Sequence, residues 1–293
     1  MKYLFLMIPI LALIGCGKES HQTELETKNI PKAPRKKLAK AKNPTPTKGN
    51  FKPAEKKPIP SGAFVNTLGM PFVPVLGTDI QICIWETRVK DYTAYAAGNQ
   101  AVDGDWKKPF QDRLKQTVTH PVVNVSRNDA QAFCEWLTKM ELEVGKLKMG
   151  QRYRLPTDAE WSVAVGLNME TGNSPRKKAK GIKGVYPWGK EWPPPKRVGN
   201  YDERLKVDNF EHASPVGNFA ANAHGIHDLG GNVWEWCEDK WRLTSSHRVL
   251  RGASWVGFKS ELSLDLLLSS NRSIDIPDGR RAWLGFRCVL ARE

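Results

Sequence analysis

Long apolar runs are nearly missing from this sequence of 293 residues: the one near the N-terminus, Leu4 to Ile14, is too short to cross a bilayer as a helix. Histidine and cysteine are scarce, at six and five residues, and no Gly-rich phosphate loop or nucleophile elbow occurs. His224 and His227 stand three apart, but no further cysteine or histidine lies nearby to complete a zinc site. Asp228 and Glu238 are the nearest thing to paired acids, and nothing in the spacing sets their distance. Large apolar residues are also sparse from Gly17 to Pro60, where 12 Lys or Arg face 4 Asp or Glu and prolines recur at Pro31, Pro34, Pro44, Pro46, Pro53, Pro58 and Pro60. Such a segment cannot bury enough surface to offset its ordering entropy, so residues 17–60 are expected to form a disordered tether.

The beginning of the chain carries an export signal. Met1-Lys2-Tyr3 is followed by the apolar run and then Leu13-Ile14-Gly15-Cys16, an order that resembles the bacterial lipobox. Residues 1–16 are therefore read as a lipoprotein signal peptide, with Cys16 lipidated and the mature protein held at the cell envelope, at the outer membrane. Of the formal charge of +14, the tether carries +8 and Lys2 one more, leaving +5 for the remainder. Arg176, Lys177, Lys178, Lys180 and Lys183 match that remainder, so the rest of the body is nearly neutral. For an exported chain, an anionic lipid or surface polymer is the expected counter-charge of the tether, and nucleic acid is not.

Residues 61–293 are long enough for one sizeable core and hold all eleven tryptophans. Ser126-Arg127-Asn128-Asp129 and Thr157-Asp158-Ala159-Glu160 have the capping-box pattern of a hydroxyl followed three residues later by a carboxylate. They predict two amphipathic helices, the first burying Ala130, Phe133, Cys134 and Leu137, with short strands over Val122–Val125 and Tyr153–Leu155 ahead of them. Beyond Leu167, Gly, Pro, Asn and Asp punctuate the chain every few residues, which predicts an α+β domain poor in regular secondary structure.

Eight strings in order resemble the formylglycine-generating enzyme family, also called sulfatase-modifying factors. They are Asn66-Thr67-Leu68-Gly69-Met70, Trp85-Glu86-Thr87-Arg88-Val89, His120-Pro121-Val122-Val123-Asn124-Val125-Ser126 and Arg154-Leu155-Pro156-Thr157-Asp158-Ala159-Glu160-Trp161, followed by Tyr186-Pro187-Trp188-Gly189, Gly230-Gly231-Asn232-Val233-Trp234-Glu235-Trp236, Arg251-Gly252-Ala253-Ser254 and Leu284-Gly285-Phe286-Arg287-Cys288. The resemblance implies the C-type-lectin-like fold of that family. It also implies an oxidase that converts a protein cysteine to formylglycine at a copper ion held by two cysteines, and it lays those two positions on Gly257 and Leu262. Neither residue binds copper, so copper is not expected and a non-catalytic binding or structural module is the favoured reading, with an oxidoreductase of the family as the alternative. Calcium is expected. The resemblance carries one site onto Asn200, Tyr201, Asp208 and Phe210 and a second onto Asp228, Gly231, Val233 and Glu235, oxygen sets that suit a hard cation. It further implies a disulfide between Cys134 and Cys288, leaving Cys83 and Cys237 as a second pair or as free thiols. Ser254, Trp255, Phe258, Arg272, Arg280, Arg281 and Trp283 are the expected recognition face for an envelope protein or glycan, being of the aromatic and arginine types common at binding hot spots.

Overall fold

The computed structural model describes residues 59–109, 116–167, 169–257 and 264–292. The signal peptide, Cys16, the tether up to residue 58, Phe258 and Leu262 lie outside them. The described residues fall in the unit that spans Pro53–Glu293.

In chain order the elements are β1 (Phe64–Val65), β2 (Pro71–Pro74), β3 (Ile80–Cys83), α1 (Val89–Ala97), α2 (Arg127–Glu143), β4 (Gln151–Arg154), α3 (Asp158–Ala164), α4 (Pro175–Lys178), β5 (Trp234–Lys240), β6 (Arg248–Arg251), β7 (Ser273–Asp275), β8 (Leu284–Gly285) and β9 (Val289–Arg292). Five strands form an antiparallel sheet in the order β1-β2-β3-β9-β4. The last strand thus pairs with both early ones, Ile82 opposite Val289 and Tyr153 opposite Leu290. The second sheet runs β7-β6-β5-β8, with β8 parallel to β5. No helix of the described residues is long and apolar enough to cross a membrane.

Both capping boxes form. Ser126 Oγ accepts from Asp129 N at 3.1 Å while Asp129 Oδ2 accepts from Ser126 N at 2.7 Å. Thr157 and Glu160 make the same reciprocal pair at the start of α3. The expected face of α2 is the buried one: Ala130, Phe133, Cys134 and Leu137 pack into a core whose rings include Tyr92 stacked on Phe133 at 5.8 Å and Phe286 against Phe133 at 5.5 Å. Two expectations change. Val122–Val125 is not a strand, because its amides go to separate partners, Val122 N to Thr87 O and Asn124 N to Arg281 O, and Asn124 adopts a left-handed φ of 60°. A helix also forms at α1 with no hydroxyl at its start: Arg88 caps it through its own backbone N–H, donated to Asp91 Oδ2 at 3.0 Å, and its guanidinium binds the same carboxylate.

Between Leu167 and Val233 the described backbone holds little more than α4 and one 3₁₀ turn. What fixes these loops is side-chain bonding, and that bonding forms the candidate site.

Candidate functional site

The Gly230-Gly231-Asn232 turn lies at the centre. A Cβ on Gly231 would overlap Asn200 O, and the residue sits at φ 83°, so this position requires glycine. Asn232 at φ 58° then turns its side chain inward. Its Oδ1 accepts from Ser214 N at 2.8 Å and Asn200 Nδ2 at 3.2 Å, while its Nδ2 donates to Glu86 Oε1 at 3.1 Å. One fully buried amide thereby ties together the loops that carry residues 86, 200 and 214.

Beside it, Glu235 on β5 and Arg287 ahead of β9 form a fully buried fork. Arg287 Nη2 and Nε donate to the two carboxylate oxygens at 2.6 and 2.8 Å, and Trp161 Nε1 donates to Oε2 at 3.0 Å. Arg287 also donates to Cys83 O and His227 O. Burial pulls the guanidinium down, but the Glu235 carboxylate outweighs it and holds Arg287 above its usual range. Glu86, fully buried, is pushed well up by desolvation, with Asp228 adding to the rise, and its Oε2 has no hydrogen-bond partner.

A second buried cluster lies around Asp158. Arg251 Nη1 donates to Asp158 Oδ1, and Arg272 approaches the same carboxylate through Nε and Nη2 at 2.9 Å each. Arg272 then grips Glu170 with Nη1 and Nη2 at 2.5 and 2.6 Å, and the Arg251 guanidinium lies 4.4 Å from the Trp161 ring centroid. Burial pushes the Asp158 and Glu170 carboxyls up, but the arginines prevail and hold both below the usual carboxylate range.

Of the expected recognition face, two residues are interior and the other described ones are half-buried or exposed. Arg272 is buried in the cluster just described and Ser254 is buried with its hydroxyl accepting from Val256 N at 3.2 Å, so neither reaches a partner. Arg280 pairs with Asp129 at 2.7 Å and Arg281 with Asp275 at 3.2 Å. Trp255 and Trp283 are half-buried, the former edge-on to His212 at 4.8 Å.

The two expected calcium sets differ in fit. In the first, Asn200 Oδ1 is buried without a partner, and Asp208, whose oxygens accept from Tyr201 N and Phe210 N at 3.0 and 2.9 Å, brings a carboxylate next to the Tyr201 and Phe210 backbone. An orphaned amide oxygen, a carboxylate and nearby carbonyls fit a hard cation. The second set does not fit, because the Glu235 carboxylate is already held by Arg287 and Trp161, and a guanidinium stands where the cation's charge would be needed. Among the described residues no three His, Cys, Asp or Glu side chains gather as metal ligands; His227 Nδ1 lies 2.8 Å from Phe219 O, and Glu238 pairs with Arg127 at 2.7 Å.

The four cysteines among the described residues are all thiols. Cys134 and Cys288 face each other with Sγ atoms 3.5 Å apart, unbonded in place of the expected disulfide. Cys83 lies beside Cys288 across β3 and β9, its amide donating to Cys288 O at 2.9 Å, and burial pushes its thiol up to about 12. Cys237 belongs to a different part of the core, so the Cys83–Cys237 alternative is not formed. At the first of the two copper positions, Gly257 packs against the Asp202 carboxylate, which Arg204 holds at 2.7 and 2.9 Å, and a Cβ on Gly257 would overlap Asp202 Oδ2.

With this geometry in place, the comparisons are specific. Residues 50–292 match the FGE-sulfatase family, described as a sulfatase-modifying factor enzyme 1-like domain. The chain belongs to this family. Among its relatives, "Inactive C-alpha-formylglycine-generating enzyme 2" of Bos taurus is 33% identical over 193 residues, covering 63% of this chain and 55% of the relative. "Formylglycine-generating enzyme" of Thermomonospora curvata is 29% identical over 211 residues, covering 63% and 60%. The chain thus spans little more than half the length of these relatives. The structure of PvdO from Pseudomonas aeruginosa superposes with a TM-score of 0.52 at 22% identity, covering 77% of this chain and 82% of that one, which supports the fold.

Glu86, Asp158, Arg251 and Arg287 stand inside the family strings, and the sequence alone assigns these four no role. The signal was present: charged residues recurring inside strings otherwise made of core residues.

Proposed function

We propose that this family member is a non-catalytic module, held at the cell envelope by lipid on Cys16, that binds a protein or glycan there and carries one structural calcium at Asn200, Tyr201, Asp208 and Phe210. The observation that carries the reading is the contact between Gly257 and Asp202. A thiolate is both copper ligand and redox group in the family chemistry, and here the position laid on it is a glycine with no side chain to bind copper, facing the Asp202 carboxylate and the Arg204 guanidinium. The relatives named as inactive are compatible with this reading. So is the engagement of Glu235 by Arg287 and of Asp158 by Arg251 and Arg272.

Two measurements test the reading. The full chain, incubated with copper, oxygen and a cysteine-containing sulfatase-type peptide, should produce no aldehyde; appearance of formylglycine would return the protein to the oxidase class. Cys16→Ser should abolish palmitate labelling and membrane retention, and retention unchanged by that substitution would remove the anchor.

A further inference from the structure

A cleft of about 570 Å³ lies between the Tyr186-Pro187-Trp188-Gly189 turn and the loop of residues 219–230. The turn is closed by Tyr186 N donating to Gly189 O at 2.8 Å and Gly189 N to Tyr186 O at 2.9 Å. Its two rings stack face to face with centroids 4.8 Å apart, and Trp188 is braced edge-on by the buried Tyr201 at 5.3 Å. The opposite wall exposes Ala220, Ala221 and Ala223, small residues that leave the space open. The result is a rigid aromatic and prolyl wall facing a shallow aliphatic one, of the size that ligand clefts have.

The chain itself enters the domain at the rim of this cleft. Pro60 packs on Gly225, which stands between the lining residues His224 and Ile226: a Cβ there would be 3.2 Å from Pro60 Cγ. The preceding residues read Pro53-Ala54-Glu55-Lys56-Lys57-Pro58, and six residues span at most about 20 Å, so all of them start within reach of the cleft. Proline-rich segments dock in aromatic-lined grooves because their extended conformation is preformed and little entropy is lost. Attachment at Pro60 adds an effective concentration on the order of millimolar. We propose that this cleft binds the Pro53–Pro58 segment of the same chain, prolines against the Tyr186–Trp188 wall and lysines toward solvent. The inference stands whether or not the protein is catalytic, since Gly257 is not among the residues that line the cleft. Its consequence is that a proline-rich partner reaches the cleft only by displacing the chain's own strap.

Trypsin read on the full chain tests this. The bonds after Lys48 and Lys56 are open to cleavage, whereas those after Lys52 and Lys57 precede proline and resist it. Each rate is divided by that of the same bond in a free peptide of residues 44–62 carrying the same substitution. The normalised cut after Lys56 should be about tenfold slower than that after Lys48. Ala221→Trp, which fills the cleft from an exposed position, and Pro58→Ser, which alters the occupant, should each bring the two rates together. Equal rates in the unaltered chain, or protection that persists in either variant, would overturn the proposal. Protection that grows with protein concentration would assign the occupant to a second copy and equally overturn it.

Discussion

Around Asp158, two guanidinium groups face two carboxylates, whereas around Arg287 a single guanidinium faces Glu235 with Glu86 and Asp228 close behind. Both clusters are buried, yet their acids move in opposite directions: Asp158 and Glu170 lie below the usual carboxylate range and Glu86 lies well above it. Burial desolvates all of them, so the sign is decided by whether enough opposite charge stands within reach. The balanced cluster stays ionised and locks α3, β6 and β7 together. The other sets one arginine against Glu235 with Asp228 nearby, and there desolvation and the charge of Asp228 push Glu86 up.

The largest expected effect comes from unbalancing the first cluster. Asp158→Ala leaves Arg251 and Arg272 buried with only Glu170 between them, which should cost about 3–5 kcal/mol in chemical denaturation. A loss under about 1 kcal/mol would mean that water reaches these arginines and that the cluster is not the lock described above.

How much of this was legible in the sequence depends on range. The capping boxes of α2 and α3 were readable because their partners lie three residues apart, and the buried face of α2 followed from its period. Arg272 was misread because its partner Asp158 is 114 residues away; an arginine in a loop string looks like a surface residue until the fold brings it a carboxylate. Val122–Val125 differs for the same reason in reverse, since three valines in four residues suggest a strand, but its single amides find Thr87 and Arg281 instead. The calcium sets are what the family resemblance implies, and only the fold shows that Arg287 takes the Glu235 carboxylate.

An intermediate effect would sharpen the contrast from the hub side. Asn200 touches Asn232 and holds an orphaned oxygen, so a calcium ion there would tie the loop of residues 200–212 to the hub. At a calcium concentration about a hundred times Kd, linkage adds about 2.7 kcal/mol, read as a rise in Tm that chelator reverses. Asp208→Ala should abolish the response, and Glu235→Ala should leave it in place while lowering stability through the orphaned Arg287. A calcium response lost with Glu235 and kept without Asp208 would reverse the assignment of the two sets.

The smallest and most discriminating expectation concerns Glu86. Its folded-state pKa is raised, so the folded protein binds a proton that the unfolded chain releases above about pH 4.3. The stability linked to that proton is fully present below the unfolded value and is lost as pH rises through the folded one. Asp158, Glu160 and Glu170 act the other way: their contributions hold above the unfolded values and are lost as pH falls through the depressed ones. Stability should therefore fall on both sides of a maximum, with different residues setting each limb. Glu86→Gln keeps the acceptor toward Asn232 Nδ2, supplies an N–H where Oε2 has no donor, and removes the proton from the balance. It should gain stability on the alkaline side and flatten the limb that falls as pH rises, without moving the acid limb. Asp239, pushed up chiefly by burial, keeps a residual slope of the same sign in that variant. If Glu86→Gln instead destabilises at pH 7 and leaves the slope intact, Glu86 is ionised in the folded protein, and the hub must then hold a cation that balances its third carboxylate.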